Sequence, residues 1–113
     1  MTKELKFYLL SYCRDWMLEE EIKALRRISL TNEGELTTRR IALDNPKMEL
    51  LYGFQDIKTN ELVELGKLAL EEKIAERLLR DNRKEVINNC PKCDELARTP
   101  KAKQCRYCQY DWH

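Results

Sequence analysis

The sequence has no apolar run approaching the roughly 20 residues that a membrane-spanning helix needs. Its opening, Met-Thr-Lys-Glu-Leu-Lys, leads into an apolar patch soon interrupted by Ser11, Cys13, Arg14 and Asp15. Neither a membrane span nor a signal peptide is expected, and the chain reads as cytoplasmic. Net charge is also scarce, at +1 from 21 Lys and Arg against 20 Asp and Glu. That argues against a dedicated DNA-binding domain, which usually carries a strong basic bias. Histidine is nearly absent: His113, the last residue, is the only one. No second histidine can therefore activate a nucleophile. A Walker loop, a dinucleotide fingerprint, a metalloprotease motif and a hydrolase elbow are all missing. So are internal repeats and Gly/Ser linkers. An enzyme is not expected, and no small-molecule substrate is evident.

What the chain does have is charge of both signs (36% Asp, Glu, Lys and Arg) and a 42% hydrophobic fraction spread along its 113 residues. That length suits one compact domain with a small appendage, or one mixed domain. Leu5, Tyr8, Leu9, Tyr12 and Trp16 recur at steps of three and four, predicting a helix capped by Thr2. Leu18, Ile22, Leu25 and Ile28 form a second stripe, with Glu19 to Glu21 ahead of Lys23, Arg26 and Arg27, the order that suits a helix dipole. Those three glutamates read as a solvated helix start. No Pro or Gly separates the two stripes, so one helix and two are both compatible.

Thr31-Asn32-Glu33-Gly34 reads as a loop, and residues 35–43 give no decisive pattern. Asp44-Asn45-Pro46 predicts a helix start, and Gly53 a short helix. Thr59 or Asn60 then caps a long helix to about Arg80. Its apolar face shifts from Leu62, Leu65 and Ala69 to Leu68, Ala75, Leu78 and Leu79. A central helix with several neighbours, a bend near Gly66 and a face turned to a partner chain each account for that shift. Val86-Ile87 reads as a strand entering the tail.

The tail carries the most specific signal. Cys90-Pro-Lys-Cys93 and Cys105-Arg-Tyr-Cys108 are two C-x₂-C pairs, eleven residues apart. Two residues between thiolates let a tight turn aim both sulfurs at one ion, and two such turns supply the four ligands of a closed structural zinc site. Disulfides are disfavoured in a reducing compartment. Rubredoxin-type iron normally has a longer insert, and the regular spacing suits zinc better than an iron–sulfur cluster. A tail of about 24 residues is also too short to fold on apolar burial alone, whereas structural zinc contributes an apparent 10–16 kcal/mol in small finger peptides, roughly. One Zn²⁺ is the expected cofactor.

On these residues the tail resembles the zinc ribbon family, and similar tails ending in Asp-Trp-His close a set of small uncharacterised bacterial proteins. The resemblance implies a metal-pinned β-hairpin turning near Thr99-Pro100-Lys101, and no particular activity. Knuckles of that family usually have Gly directly after the second cysteine of each pair. Here Asp94 and Gln109 stand there, and Gln tolerates a left-handed backbone less readily than Asp. The expected fold is mainly α, with three to five helices in residues 1–85 and a zinc-ribbon hairpin over 86–113, docked on the helices.

Residues 1–89 hold 16 basic against 17 acidic side chains, and residues 90–113 hold five against three. In the tail Lys92, Lys101, Lys103 and Arg106 can neutralise a tetrathiolate centre. Arg98, Lys101, Lys103 and Arg106 can instead work with Tyr107, Tyr110 and Trp112 to contact a partner or bind nucleic acid. Those aromatics can equally cover a small core. His113 reads as a frayed terminus, and Cys13 as a buried filler. Two functional classes follow. The first is a protein-binding module, immunity-like, antitoxin-like or regulatory. The second is a nucleic-acid-binding regulator acting through the tail.

Overall fold

A computed structural model of the chain describes residues 1–112; the reading of His113 lies outside the described residues. The residues group into two compact units, one formed by 17–73 and the other by 1–16 with 74–113. Among the described residues no helix is long and apolar enough to cross a membrane.

Residues 17–73 contain α2 (Glu19–Ile28), α3 (Asn32–Ala42), α4 (Pro46–Tyr52), α5 (Ile57–Glu64) and the start of α6 (Lys67–Asp81). α2 packs on α4 and α5, and α3 packs on α4. The helix starts follow side-chain chemistry. Thr31, Asn45 and Asp56 accept hydrogen bonds from the amides of Gly34, Lys47 and Thr59, replacing partners that a first turn lacks. The stretch 31–34 is therefore a capped helix start rather than a loop, and α3 runs through 35–42. α4 ends at Gly53, whose φ of +60° places it in the left-handed region. A Cβ there would approach Thr59 Oγ1 to 2.9 Å.

The expected long helix is two. Gly66, at φ +87°, separates α5 from α6, so Leu62 and Leu65 belong to the end of one helix, and Ala69 shares the other with Leu68, Ala75, Leu78 and Leu79. The buried face of α6 is Leu70, Ile74, Ala75 and Leu78, while Leu65 and Leu68 are exposed. On α2 the buried residues are Glu21, Ala24 and Arg27, not the leucine–isoleucine stripe. Glu21, expected in solvent, is buried and accepts the Leu18 amide at 2.8 Å.

Arg27, only 4% exposed, organises this unit. Its guanidinium donates to Glu35 Oε1 at 3.0 Å and to Asn60 Oδ1, and lies 4.7 Å over the Phe54 ring. The Arg39 guanidinium lies 5.0 Å from the same ring and donates to Glu35 at 3.3 Å. The bond from Arg27, and then that from Arg39, hold the Glu35 carboxyl below its ordinary range against the opposing effect of burial.

In the other unit, α1 (Lys3–Tyr12) starts at Thr2, which accepts the Leu5 amide at 3.1 Å, and a 3₁₀ turn follows at Arg14–Trp16. The first apolar stripe thus ends in a turn, and α1 and α2 are separate helices. Leu9, Cys13, Ile74, Leu78 and Val86 are fully buried here. The Tyr8 hydroxyl donates to the Val86 carbonyl. Arg77 reaches the Trp16 carbonyl at 2.9 Å. Residues 83–86, part of the expected entry to the tail, form the short helix α7 (Arg83–Val86) rather than a strand.

The chain has seven α-helices among the described residues, more than the three to five expected, and no β-strand. The zinc-ribbon hairpin is not formed. Only two isolated antiparallel bridges occur, Asn89 with Leu96 and Gln104 with Asp111. The reason is local. After each C-x₂-C turn the backbone folds back onto the residues just before that turn. Glu95, Ala97 and Lys103 thereby pair with residues flanking their own knuckle instead of with one another across a hairpin over 94–104.

Candidate metal centre

Each cysteine pair sits in a knuckle with the same bonding. Cys90 Sγ accepts from the amides of Lys92 and Cys93 at 3.4 and 3.5 Å, and Cys105 Sγ from those of Tyr107 and Cys108 at 3.3 and 3.5 Å. Asp94 and Gln109 close the turns by donating to the carbonyls of Cys90 and Cys105 at 2.9 and 3.0 Å. Both adopt positive φ, 61° and 62°. Gln109 therefore takes the left-handed backbone that the sequence made doubtful. The chain then runs back, so that Cys90 donates to Glu95 and Cys105 to Tyr110, each at 2.8 Å. Asn88 was not legible as a site residue. Its amide bridges the carbonyls of Thr99 and Ala102, both at 2.9 Å, and so fixes the segment between the knuckles. Its place two residues before Cys90 is the only sequence signal it offers.

The knuckles bring all four sulfurs within 4.8 Å of one another. Across the site, Cys90 and Cys108 are 3.6 Å apart, and Cys93 and Cys105 are 3.5 Å apart. A disulfide would require about 2.05 Å. A tetrahedron of thiolates around zinc, with bonds near 2.3 Å, sets its edges at about 3.8 Å. The donor set and its spacing fit a four-coordinate thiophilic metal. Cys90 and Cys105 are buried, whereas Cys93 and Cys108 are exposed.

The electrostatics point the same way. The Cys108 amide, the largest influence, and then the Tyr107 amide, bring the Cys105 thiol down to about 6 against the opposing effect of burial. Cys93 is pushed up to about 12: its leading influence, a backbone bond with Glu95, lowers it, but burial and the crowding thiols outweigh that. One sulfur ionises readily and its neighbour resists. Four thiolates share this volume only beside a cation, and metal binding displaces the protons.

The tail's basic side chains are not on the sulfurs. Lys92 Nζ lies 6.0 Å over the Tyr110 ring, Lys101 pairs with Asp15 at 3.7 Å, and the Arg106 guanidinium lies 5.0 Å over the Tyr107 ring. Arg98 and Lys103 are exposed. Tyr107 and Tyr110, 52% and 40% exposed, do not cover a core, whereas Trp112 is half-buried and stacks on Tyr110. Cys13 lies well outside the cluster in sequence and in bonding. It is fully buried, directs its thiol at the Tyr8 carbonyl 3.9 Å away, and is raised by burial to about 11.

Compared with models of protein families, with curated proteins and with solved structures, this chain has no match.

Proposed function

We propose that this is a zinc-braced, non-catalytic interaction protein whose partner is another protein, as an immunity-like, antitoxin-like or regulatory module would be. The observation that carries the zinc assignment is the cluster of four sulfurs held by two like knuckles. Four thiolates complete a tetrahedron and leave no open position for substrate, which makes the ion structural rather than catalytic. The thiol outside the cluster, Cys13, is buried and held protonated at neutral pH, so it is a poor nucleophile.

A protein partner is supported by the apolar surface of residues 17–73. Leu36, Leu43 and Leu50 are 68%, 71% and 69% exposed on α3, at its C-terminus and on α4, two helices that pack together. Large apolar side chains grouped on adjoining elements mark interaction surfaces more often than isolated ones do. With 16 basic against 17 acidic side chains, residues 1–89 fit a protein surface better than a polyanion.

Affinity capture from the native cytosol, with the wild type beside the triple variant Leu36→Ser, Leu43→Ser, Leu50→Ser, tests the reading. A protein retained in stoichiometric amount by the wild type and lost by the triple variant is expected. Equal retention by both, or none by either, contradicts it.

A further inference from the structure

We propose that the second knuckle carries a stacking platform for single-stranded nucleic acid, built from Tyr110 and Trp112 and flanked by Lys92 and Lys103. This surface lies on the tail and is independent of the leucines of α3 and α4. The backbone sets it up. Gln104 and Asp111 form an antiparallel bridge, and Trp112 donates to the Lys103 carbonyl at 2.9 Å. That register puts Lys103 opposite Trp112. The two-residue alternation of extended chain puts Tyr110 on the same face as Trp112. The rings are nearly parallel, 19° apart in plane and 6.3 Å apart in centroid, an offset stack.

Three features favour a nucleic acid over an acidic peptide. First, Tyr110 is 40% exposed although the Trp112 ring stacks on it and Lys92 Nζ lies over it, so aromatic surface remains in contact with solvent. Bases stack on such faces whatever their identity, at about 1–3 kcal/mol each. Second, Lys92 lies over the Tyr110 ring rather than on the thiolates. Lys92 Nζ is 6.0 Å from the Tyr110 centroid and Lys103 is exposed, so both can reach phosphates. Third, Arg106 lies over Tyr107 and donates to its hydroxyl at 3.0 Å, which adds another cation–ring pair on the same knuckle. A peptide carboxylate would use the cations and leave the rings idle.

The test uses the zinc-loaded full chain and fluorescein-labelled U12 and dT12, read by anisotropy, with a self-complementary duplex as control. With about three phosphates neutralised on a single strand, affinity falls about 20-fold between 50 and 200 mM salt. Lys92→Glu with Lys103→Glu is expected to lose at least tenfold in affinity and to flatten the salt dependence. Tyr110→Leu is expected to lose about 5- to 100-fold with the salt dependence unchanged. Lys103→Glu alone, at an exposed side chain, keeps the test valid should a ring variant fail to retain zinc. Preference for single strands over duplex completes the expected pattern. The proposal is overturned if U12 and dT12 go unbound at 50 mM salt, if Lys103→Glu binds them as tightly as the wild type, or if hepta-glutamate binds in their place.

Discussion

In residues 17–73 the central buried group is a guanidinium, held by Glu35, Asn60 and the face of Phe54, and the helices around it are individually capped. In residues 88–112 the only buried side chains are Cys90, Ala97 and Cys105. Two thiols and a methyl group are far too little apolar surface to order some 25 residues, since segments under about 40 residues rarely fold without metal, disulfides or a partner. One region is ordered by many weak contacts between helices; in the proposed reading the other is ordered by few atoms around one ion. Their responses to perturbation should therefore separate.

Metal removal should separate them most. Chelation at neutral pH, or Cys90→Ser, is expected to abolish amide-exchange protection at Cys90, Asp94, Cys105 and Gln109 while the amides of α2 and α5 stay protected. The scale is set by the roughly 10–16 kcal/mol that zinc contributes to small finger peptides. Protection that persists in the knuckles would place the order of the tail elsewhere.

The reverse perturbation is Arg27→Ala. It leaves Glu35 with Arg39 alone, takes the Arg27 donor from Asn60 Oδ1 and removes one of the two guanidinium groups over Phe54. Breaking a buried pair costs about 3–5 kcal/mol, and the partial exposure of Glu35 puts this one near 3 kcal/mol. Denaturant unfolding should record that loss with bound zinc still at one equivalent. A loss of zinc in step with stability would mean that the two regions are energetically one.

Acid should separate them by order of loss. Zinc competes with protons for thiolates whose ordinary pKa is about 8.5, so the tail is affected as soon as pH falls below neutrality. Glu35 acts later. Its folded carboxyl lies below the ordinary value, chiefly through Arg27, so the unfolded chain binds its proton first. The stability it contributes is present above the unfolded pKa and is lost as pH falls through the lowered one. A pH titration followed by exchange mass spectrometry should show the knuckles opening first and α2 with α3 second.

The smallest effect is expected at Gly53. Alanine there meets both a left-handed φ and Thr59 Oγ1 at 2.9 Å. It should cost about 1–2 kcal/mol for the backbone alone, seen in thermal unfolding of residues 17–73 and not in zinc content.

How much the sequence disclosed follows the same division. The cysteine cluster was legible because a C-x₂-C pair is local, as were Thr2 and the Asn45-Pro46 start, whose partners lie within three residues. The hairpin was misread because a spacing of eleven residues says nothing about which backbone groups pair, and here each knuckle pairs with its own flank. α3 was hidden because Thr31 and Gly34 look like a loop until the hydroxyl is seen accepting the amide. Arg27 was read only as a base suited to the end of a helix dipole, because Glu35, Phe54 and Asn60, which bury it, come from three separate stretches of chain. Helical periodicity cannot register such long-range compensation.

The most direct measurement is the metal content of the reduced, natively purified chain, with sulfur–metal distances from X-ray absorption. The account predicts one zinc per chain, bound by four sulfurs at about 2.3 Å. A metal-free chain whose knuckle amides remain protected, or one whose four thiols are joined as disulfides, would contradict it.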